Sequence, residues 1–125
     1  MAKLTQELLD AWDNRDGPII FATVDKTNKP NIIYASCLGR DGDDGLVVAD
    51  NYFDKTRQNI LAGTLGAILF RTTDKKTYQV KGSVEYYTSG PIYNEMKKWN
   101  PSQHPGHAAA VLRVESVYQG ARRLI

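Results

Sequence analysis

The chain has 125 residues, 42% hydrophobic and 24% charged, with 16 basic against 14 acidic side chains and a formal net charge of +2. That length suits one domain with a core of modest size. The composition excludes a disordered, collagenous or coiled-coil chain, and the charge gives no electrostatic case for nucleic acid or an anionic membrane as partner. The single cysteine, Cys37, has no internal disulfide partner, and residues 1 to 15 carry Lys3, Glu7, Asp10, Asp13 and Arg15 with no unbroken apolar run. No secretory signal or membrane span is expected, and the cytoplasm is the expected compartment.

Leu4, Leu8, Leu9 and Trp12 recur at helical spacing, predicting an amphipathic helix that Gly17-Pro18 ends and that covers an open end of the fold. From Pro18 the period changes. Ile19 to Val24 is rich in β-branched and aromatic residues, and the turn Asp25-Lys26-Thr27-Asn28-Lys29-Pro30 leads into a second strand, Asn31 to Leu38, so the pair reads as a hairpin. Gly39-Arg40-Asp41-Gly42-Asp43-Asp44-Gly45 reads as a turn. Its carboxylates lack the ligand spacing and closing glutamate of an EF-hand, so no metal is expected there.

Gly45 to Asp50 is a short apolar strand that breaks at Asp50-Asn51 and restarts as a helix, with Lys55 and Thr56 in its first turn and Gly63 as its stop. The first N–H groups of a helix lack intrahelical partners and favour an anion; Lys55 adds a charge and Thr56 a hydroxyl donor. The same residues also fit a plainer reading, with Asp54 as N-cap, Thr56 satisfying its own turn, and Lys55 and Arg57 on a solvated surface.

Thr64 to Thr73 makes an apolar strand, Asp74-Lys75-Lys76 a turn, and Thr77 to Thr88 a further strand. In that strand Tyr78, Val80, Val84 and Tyr86 share one face, and Gln79, Lys81, Ser83 and Glu85 the other. Gly82 interrupts the first face and marks a bulge or a close backbone approach, as barrel closure requires. Ser89-Gly90-Pro91 starts a helix with Ile92, Met96 and Trp99 as its core stripe, ended by Asn100-Pro101. A loop then holds His104 and His107, which lack a clear third ligand and are read as polar surface. Ala108 to Tyr118 is the last strand, and the tail from Gln119 to Ile125 is expected to be loose unless a partner subunit receives it. Six strands, short turns and no regular strand-helix alternation predict a mainly β (α+β) domain over 1–125, a six-stranded antiparallel barrel with flanking helices.

The strand, break and Lys55-Thr56-x-x-Asn59-Ile60 resemble the phosphate-binding segment of the FMN-binding split β-barrel family, the pyridoxamine 5′-phosphate oxidase-like flavoproteins. Pro30-Asn31-Ile32-Ile33 leading into Tyr34-Ala35-Ser36-Cys37 is similar to that family's second strand. Gln79-Val80-Lys81-Gly82-Ser83-Val84, followed by Thr88-Ser89-Gly90-Pro91, is similar to its fifth strand and following helix. In order and spacing the likeness covers nearly the whole chain and looks closest to the small single-domain FMN-binding proteins.

The resemblance implies a homodimer with two FMN molecules at the subunit interface. By position, Lys55 and Thr56 would hold the phosphate. Ala49, Asp50 and Asn51 would face the ribityl chain or the pyrimidine ring, and Tyr34, Ala35, Ser36 and Cys37 would flank the isoalloxazine. Lys81 would reach the phosphate or the pyrimidine edge, and the partner's segment from His104 to His107 and the partner's Tyr118 would cover the flavin. Two residues depart from the expected pattern: Asp54 sets a carboxylate beside the phosphate unless it turns away or pairs with Arg57, and Ser36 stands where some relatives carry a large aromatic.

No P-loop, dinucleotide glycine fingerprint, Cys-x-x-Cys pair or serine nucleophile elbow is present, and no side chain is assigned as catalytic. The resemblance therefore implies an FMN-dependent oxidoreductase or electron carrier taking electrons from a reduced nicotinamide or a redox protein. A non-catalytic flavin-binding or redox-sensing module, and the same fold with a deazaflavin or haem, are the alternatives. Activity as pyridoxamine 5′-phosphate oxidase itself is not expected, because that enzyme's additional substrate-binding segments have no match here.

Overall fold

The computed structural model describes residues 3–125. Its elements run α1 (Gln6–Asp13), β1 (Ile19–Val24), β2 (Pro30–Ala35), β3 (Leu38–Asp41), β4 (Gly45–Asp50), α2 (Lys55–Leu61), β5 (Leu65–Arg71), β6 (Thr77–Tyr87), α3 (Pro91–Trp99), β7 (Ala108–Gln119) and β8 (Arg122–Arg123). The pairings are antiparallel, and the main path of the sheet is β2-β1-β5-β6-β7-β4-β3, with the two-residue β8 beside β7. The path thus has seven strands, not the six expected.

The additional strand arises because the stretch Asn31 to Leu38 divides at Ser36-Cys37, and its halves lie on opposite edges of the sheet. A sheet whose first and last strands are joined by so short a segment must curl until its edges nearly meet. The result is a split β-barrel, mainly antiparallel sheet with three flanking helices. The Ala49 N–H donates to the Cys37 carbonyl at 3.0 Å and holds the corner against β4. β3 also takes in Gly39-Arg40-Asp41, which composition had assigned to a turn. Gly39 is there for space: a Cβ on it would lie 2.8 Å from the Trp99 ring.

Inside the barrel, Phe21, Ile68, Phe70, Val80, Leu112 and Val114 pack with Leu8 and Trp12 of α1. α1 covers one open end as expected, capped by Thr5, and Trp12 meets Phe70 edge-on with ring centroids 5.1 Å apart. It stops at Asp13, before Gly17-Pro18, because the next residues are drawn into a bridge between Arg15 and Thr72. α2 covers the opposite end through buried Thr56, Asn59 and Ile60. At Gly82 the backbone of β7 leaves no room for a side chain: a Cβ there would lie 1.8 Å from the Arg113 carbonyl oxygen. The register shift beside it leaves Glu115 of β7 unpaired, so the bulge foreseen at Gly82 lies in the facing strand.

The outer face of the sheet is finished in two ways. α3 lies over β4 and β7, burying Met96 completely among Val47, Ala49, Ala109 and Val111, while Ile92 and Trp99 are only half-buried. β7 is therefore buried on both faces from Ala108 to Val114. Over the outer side of β2, β1 and β5 no helix lies among the described residues, and Ile32, Tyr34, Leu65 and Leu69 are 68%, 75%, 61% and 43% exposed. The tail is not loose: β8 folds back on β7 through Gly120, and Leu124 and Ile125 pack against the core. Among the described residues no helix is long and apolar enough to cross a membrane.

Candidate functional site

Where β2 and β3 part, the seam opens into a cleft of about 590 Å³, within the range of small-molecule sites. β2 contributes Asn31, Ile33, Tyr34 and Ala35, and the corner contributes Ser36 and Cys37. Ala49 ends β4 in the cleft wall, Asn51 and Phe53 follow it, Lys55 and Thr56 open α2, and His104 enters from the loop after α3. The fold thus brings together Tyr34, Ala35, Ser36, Cys37, Ala49, Asn51, Lys55 and Thr56, residues that the resemblance sets around one ligand.

Asp50 and Lys81 are not among them. Strand alternation puts Ala49 and Asn51 on one face and Asp50 on the other, where its carboxylate is fully buried. It accepts from Arg57 Nε at 2.7 Å and Nη2 at 3.0 Å, from the Phe53 N–H at 3.0 Å, and from the Tyr86 hydroxyl. Burial would raise the Asp50 pKa, but these bonds hold it below the ordinary carboxylate value. Tyr86 is pushed up to about 12 by burial and by the Asp50 charge. Asp50 therefore shapes the turn between β4 and α2 and leaves the cleft lining to its neighbours. Lys81 stands exposed on β6, its Nζ 5.1 Å from the ring centroid of Tyr118, outside the cleft.

α2 is only seven residues long, and its N-cap Asp54 makes no side-chain capping bond. Any attraction for an anion here rests on the side chains of Lys55 and Thr56. Lys55 is exposed and enters no ion pair among the described residues. Arg57 is committed to Asp50, and Asp54 accepts instead from Gln58 Nε2 at 3.2 Å.

Asn51, besides lining the cleft, makes a contact that the sequence did not reveal. It exchanges amide hydrogen bonds with Asn100 at 3.0 and 2.9 Å, and its Oδ1 also accepts from the Gly106 N–H at 2.9 Å. This buried pair ties the loop after α3 to the cleft and brings His104 to the rim, where its Nδ1 and the Tyr52 hydroxyl lie 3.0 Å apart. His104 thus lines the cleft of its own chain, whereas His107 is exposed and Tyr118 lies beneath Lys81 and Arg123. No sequence pattern signals a contact between two loops so far apart in the chain.

The model of the pyridoxamine 5′-phosphate oxidase family matches residues 4–121. The chain belongs to that family. The uncharacterised protein MJ0282 of Methanocaldococcus jannaschii is 31% identical over 124 residues, covering 94% of this chain and 81% of that protein. Among solved structures, HupZ of Group A Streptococcus superposes with a TM-score of 0.79 at 28% identity, covering 93% of each chain. An FMN-binding protein from Syntrophomonas wolfei superposes with a TM-score of 0.77 at 24% identity, over 90% of this chain and 86% of that one, and shows the shared fold.

The lining of this family member's cleft is chemically divided. Lys55 and Thr56 offer a cation and a hydroxyl at one side, with the Asp54 carboxylate beside them in the lining, while Ile33, Ala35, Ala49 and Phe53 offer apolar surface. A ligand with an anionic group and a flat, largely apolar body fits that division.

Proposed function

We propose that the chain is an FMN-binding flavoprotein that acts as an oxidoreductase or electron carrier, one domain over 1–125 working in the cytoplasm. The supporting observation is that Lys55, Thr56 and the Tyr34–Cys37 segment line one cleft in a chain of this family. Lys55 and Thr56 hold the phosphate, Ala49 and Asn51 face the ribityl chain, and Tyr34, Ala35, Ser36 and Cys37 flank the ring. FMN, when bound, supplies the electron chemistry. The protein's own residues bind it, orient it and exclude water.

Micromolar binding requires about 8 kcal/mol, whereas each hydrogen bond to a charged group contributes only about 1.5–3 kcal/mol. The phosphate contacts are insufficient alone, and burial of the ring has to supply much of the remainder. One chain leaves the cleft open beside the bare face of β2, β1 and β5, and Tyr34 belongs to both. A second copy of the chain laid on that face covers the apolar residues and closes the cleft together. Lys81, opposite Ala67 on the same outer face, is then placed to serve a cleft across the dimer.

Titration of the apoprotein with FMN and riboflavin tests the assignment. FMN binds more tightly, and Lys55→Ala narrows the gap about tenfold, the loss of one charge-assisted contact. Equal affinities for the two ligands contradict the phosphate site. Bleaching of the bound flavin by reduced nicotinamide separates an oxidoreductase from a passive flavin-binding module.

A further inference from the structure

Thr56 is 1% exposed yet lines the cleft, and its hydroxyl is held in one sense. Asn31 Nδ2 donates to Thr56 Oγ1 at 2.9 Å and to Thr23 Oγ1 at 3.4 Å, and Asn59 Nδ2 donates to Thr23 Oγ1 at 3.0 Å. An amide nitrogen only donates, so the Thr56 oxygen acts toward Asn31 as an acceptor and its proton must point elsewhere. Among the described residues the Thr56 hydroxyl takes part in this one hydrogen bond, as acceptor. A buried hydroxyl on a cleft wall, with a lone pair occupied from behind and its proton uncommitted, is a ready donor to whatever enters the cleft.

We infer that Asn31 is a positioning residue that commits the Thr56 hydroxyl to donate into the cleft, and thereby sets the preference for a phosphorylated over an unphosphorylated ligand. The inference rests on the flavin reading above. A phosphate oxygen only accepts and is charged, so a fixed donor suits it, and charge-assisted hydrogen bonds are roughly twice as strong as neutral ones. A terminal hydroxyl both donates and accepts, so fixing the sense of Thr56 gives it little advantage. Asn31 joins β2 to α2, and a purely structural role for it would weaken every ligand alike. The preference between two ligands separates the roles.

The test measures FMN and riboflavin affinities for the full chain, with folding followed by circular dichroism. Thr56→Val lowers the FMN-to-riboflavin preference about tenfold, the loss of one hydrogen bond to a charged group. Asn31→Ala lowers it about threefold, since the freed hydroxyl then samples other directions. Asn31→Asp lowers it further, because a carboxylate takes the Thr56 proton for itself and repels the phosphate. That variant keeps the shape of the residue and decides the matter if Asn31→Ala fails to fold. Asn31→Ala added to Thr56→Val changes the preference no further. Equal weakening of both ligands by the Asn31 substitutions, or the same drop in preference with and without Thr56→Val, overturns the role of Asn31 and leaves the flavin reading standing. A wild-type chain that binds neither ligand removes both.

Discussion

On the outer face of β4 and β7, α3 seals Val47, Ala49, Ala109 and Val111 around a Met96 that is 0% exposed. On the outer face of β2, β1 and β5, Ile32, Tyr34, Leu65 and Leu69 remain open to solvent, with Ile20 between Tyr34 and Leu69 across the strands. Both halves are apolar outside as well as inside, but only one carries its own cover. The cleft lies where the two meet, between Tyr34 of the bare half and Ala49 of the sealed half. The contrast separates apolar residues that hold the chain together from apolar residues available to another surface.

The largest effect is expected in the sealed half. Met96→Ala leaves a cavity under α3 and lowers stability by about 3 kcal/mol, read by denaturant unfolding beside the wild-type chain at the same protein concentration. A cost under about 1 kcal/mol would mean that α3 is only loosely seated.

Next comes Arg113, only 9% exposed, which binds Asp41 at 2.8 Å, Asp44 at 2.9 Å and Glu85 at 2.8 Å and so ties the β3–β4 hairpin to β6. Arg113→Met leaves three carboxylates facing one another and costs about 2–3 kcal/mol, less than a fully buried pair because the carboxylates keep part of their surface in water. The effect depends on pH. Burial would raise the Glu85 pKa, but the Tyr87 hydroxyl and Arg113 hold it below its ordinary value, as Arg57 and Tyr86 do for Asp50. Near those depressed values the folded chain binds fewer protons than the unfolded chain. The stabilisation is complete above the ordinary carboxylate range and is lost as pH falls through the depressed values. Acid unfolding of Arg113→Met should therefore show a shallower dependence on pH than that of the wild-type chain.

The smallest effect on the single chain is expected on the bare face. Ile32→Asp with Leu69→Asp changes intrinsic stability by only about 0.5 kcal/mol per site, yet abolishes dimerisation and with it the dependence of Tm on protein concentration. A wild-type chain that is monomeric in light scattering at working concentration would break the link between the bare face and a second copy.

Much of this was readable from residue pattern. β-Branched and aromatic content in Ile19–Val24 and alternation in Thr77 to Thr88 placed those strands, and the Lys55-Thr56 segment pointed to the cleft wall that α2 supplies. The division at Ser36-Cys37 was not readable, because one serine with no glycine, proline, asparagine or aspartate beside it is a weak turn signal, and the break is imposed by barrel curvature. Gly39 looked like a loop residue, since one sequence cannot tell a flexible glycine from one that lies under a tryptophan ring. The resemblance set Asp50 beside the ligand with Ala49 and Asn51, whereas period-two alternation turns its side chain to the opposite face, against Arg57 and Tyr86. Asn31 and His104 were missed as single site residues because their places depend on Thr56 and on the Asn51–Asn100 pair, contacts between distant parts of the chain.

The most direct test of the central claim is the absorption spectrum of the purified protein, followed by heat release and chromatography of what it holds. The account predicts flavin bands and FMN released at about one per chain, one for each cleft. A colourless protein that takes up no added FMN would contradict it.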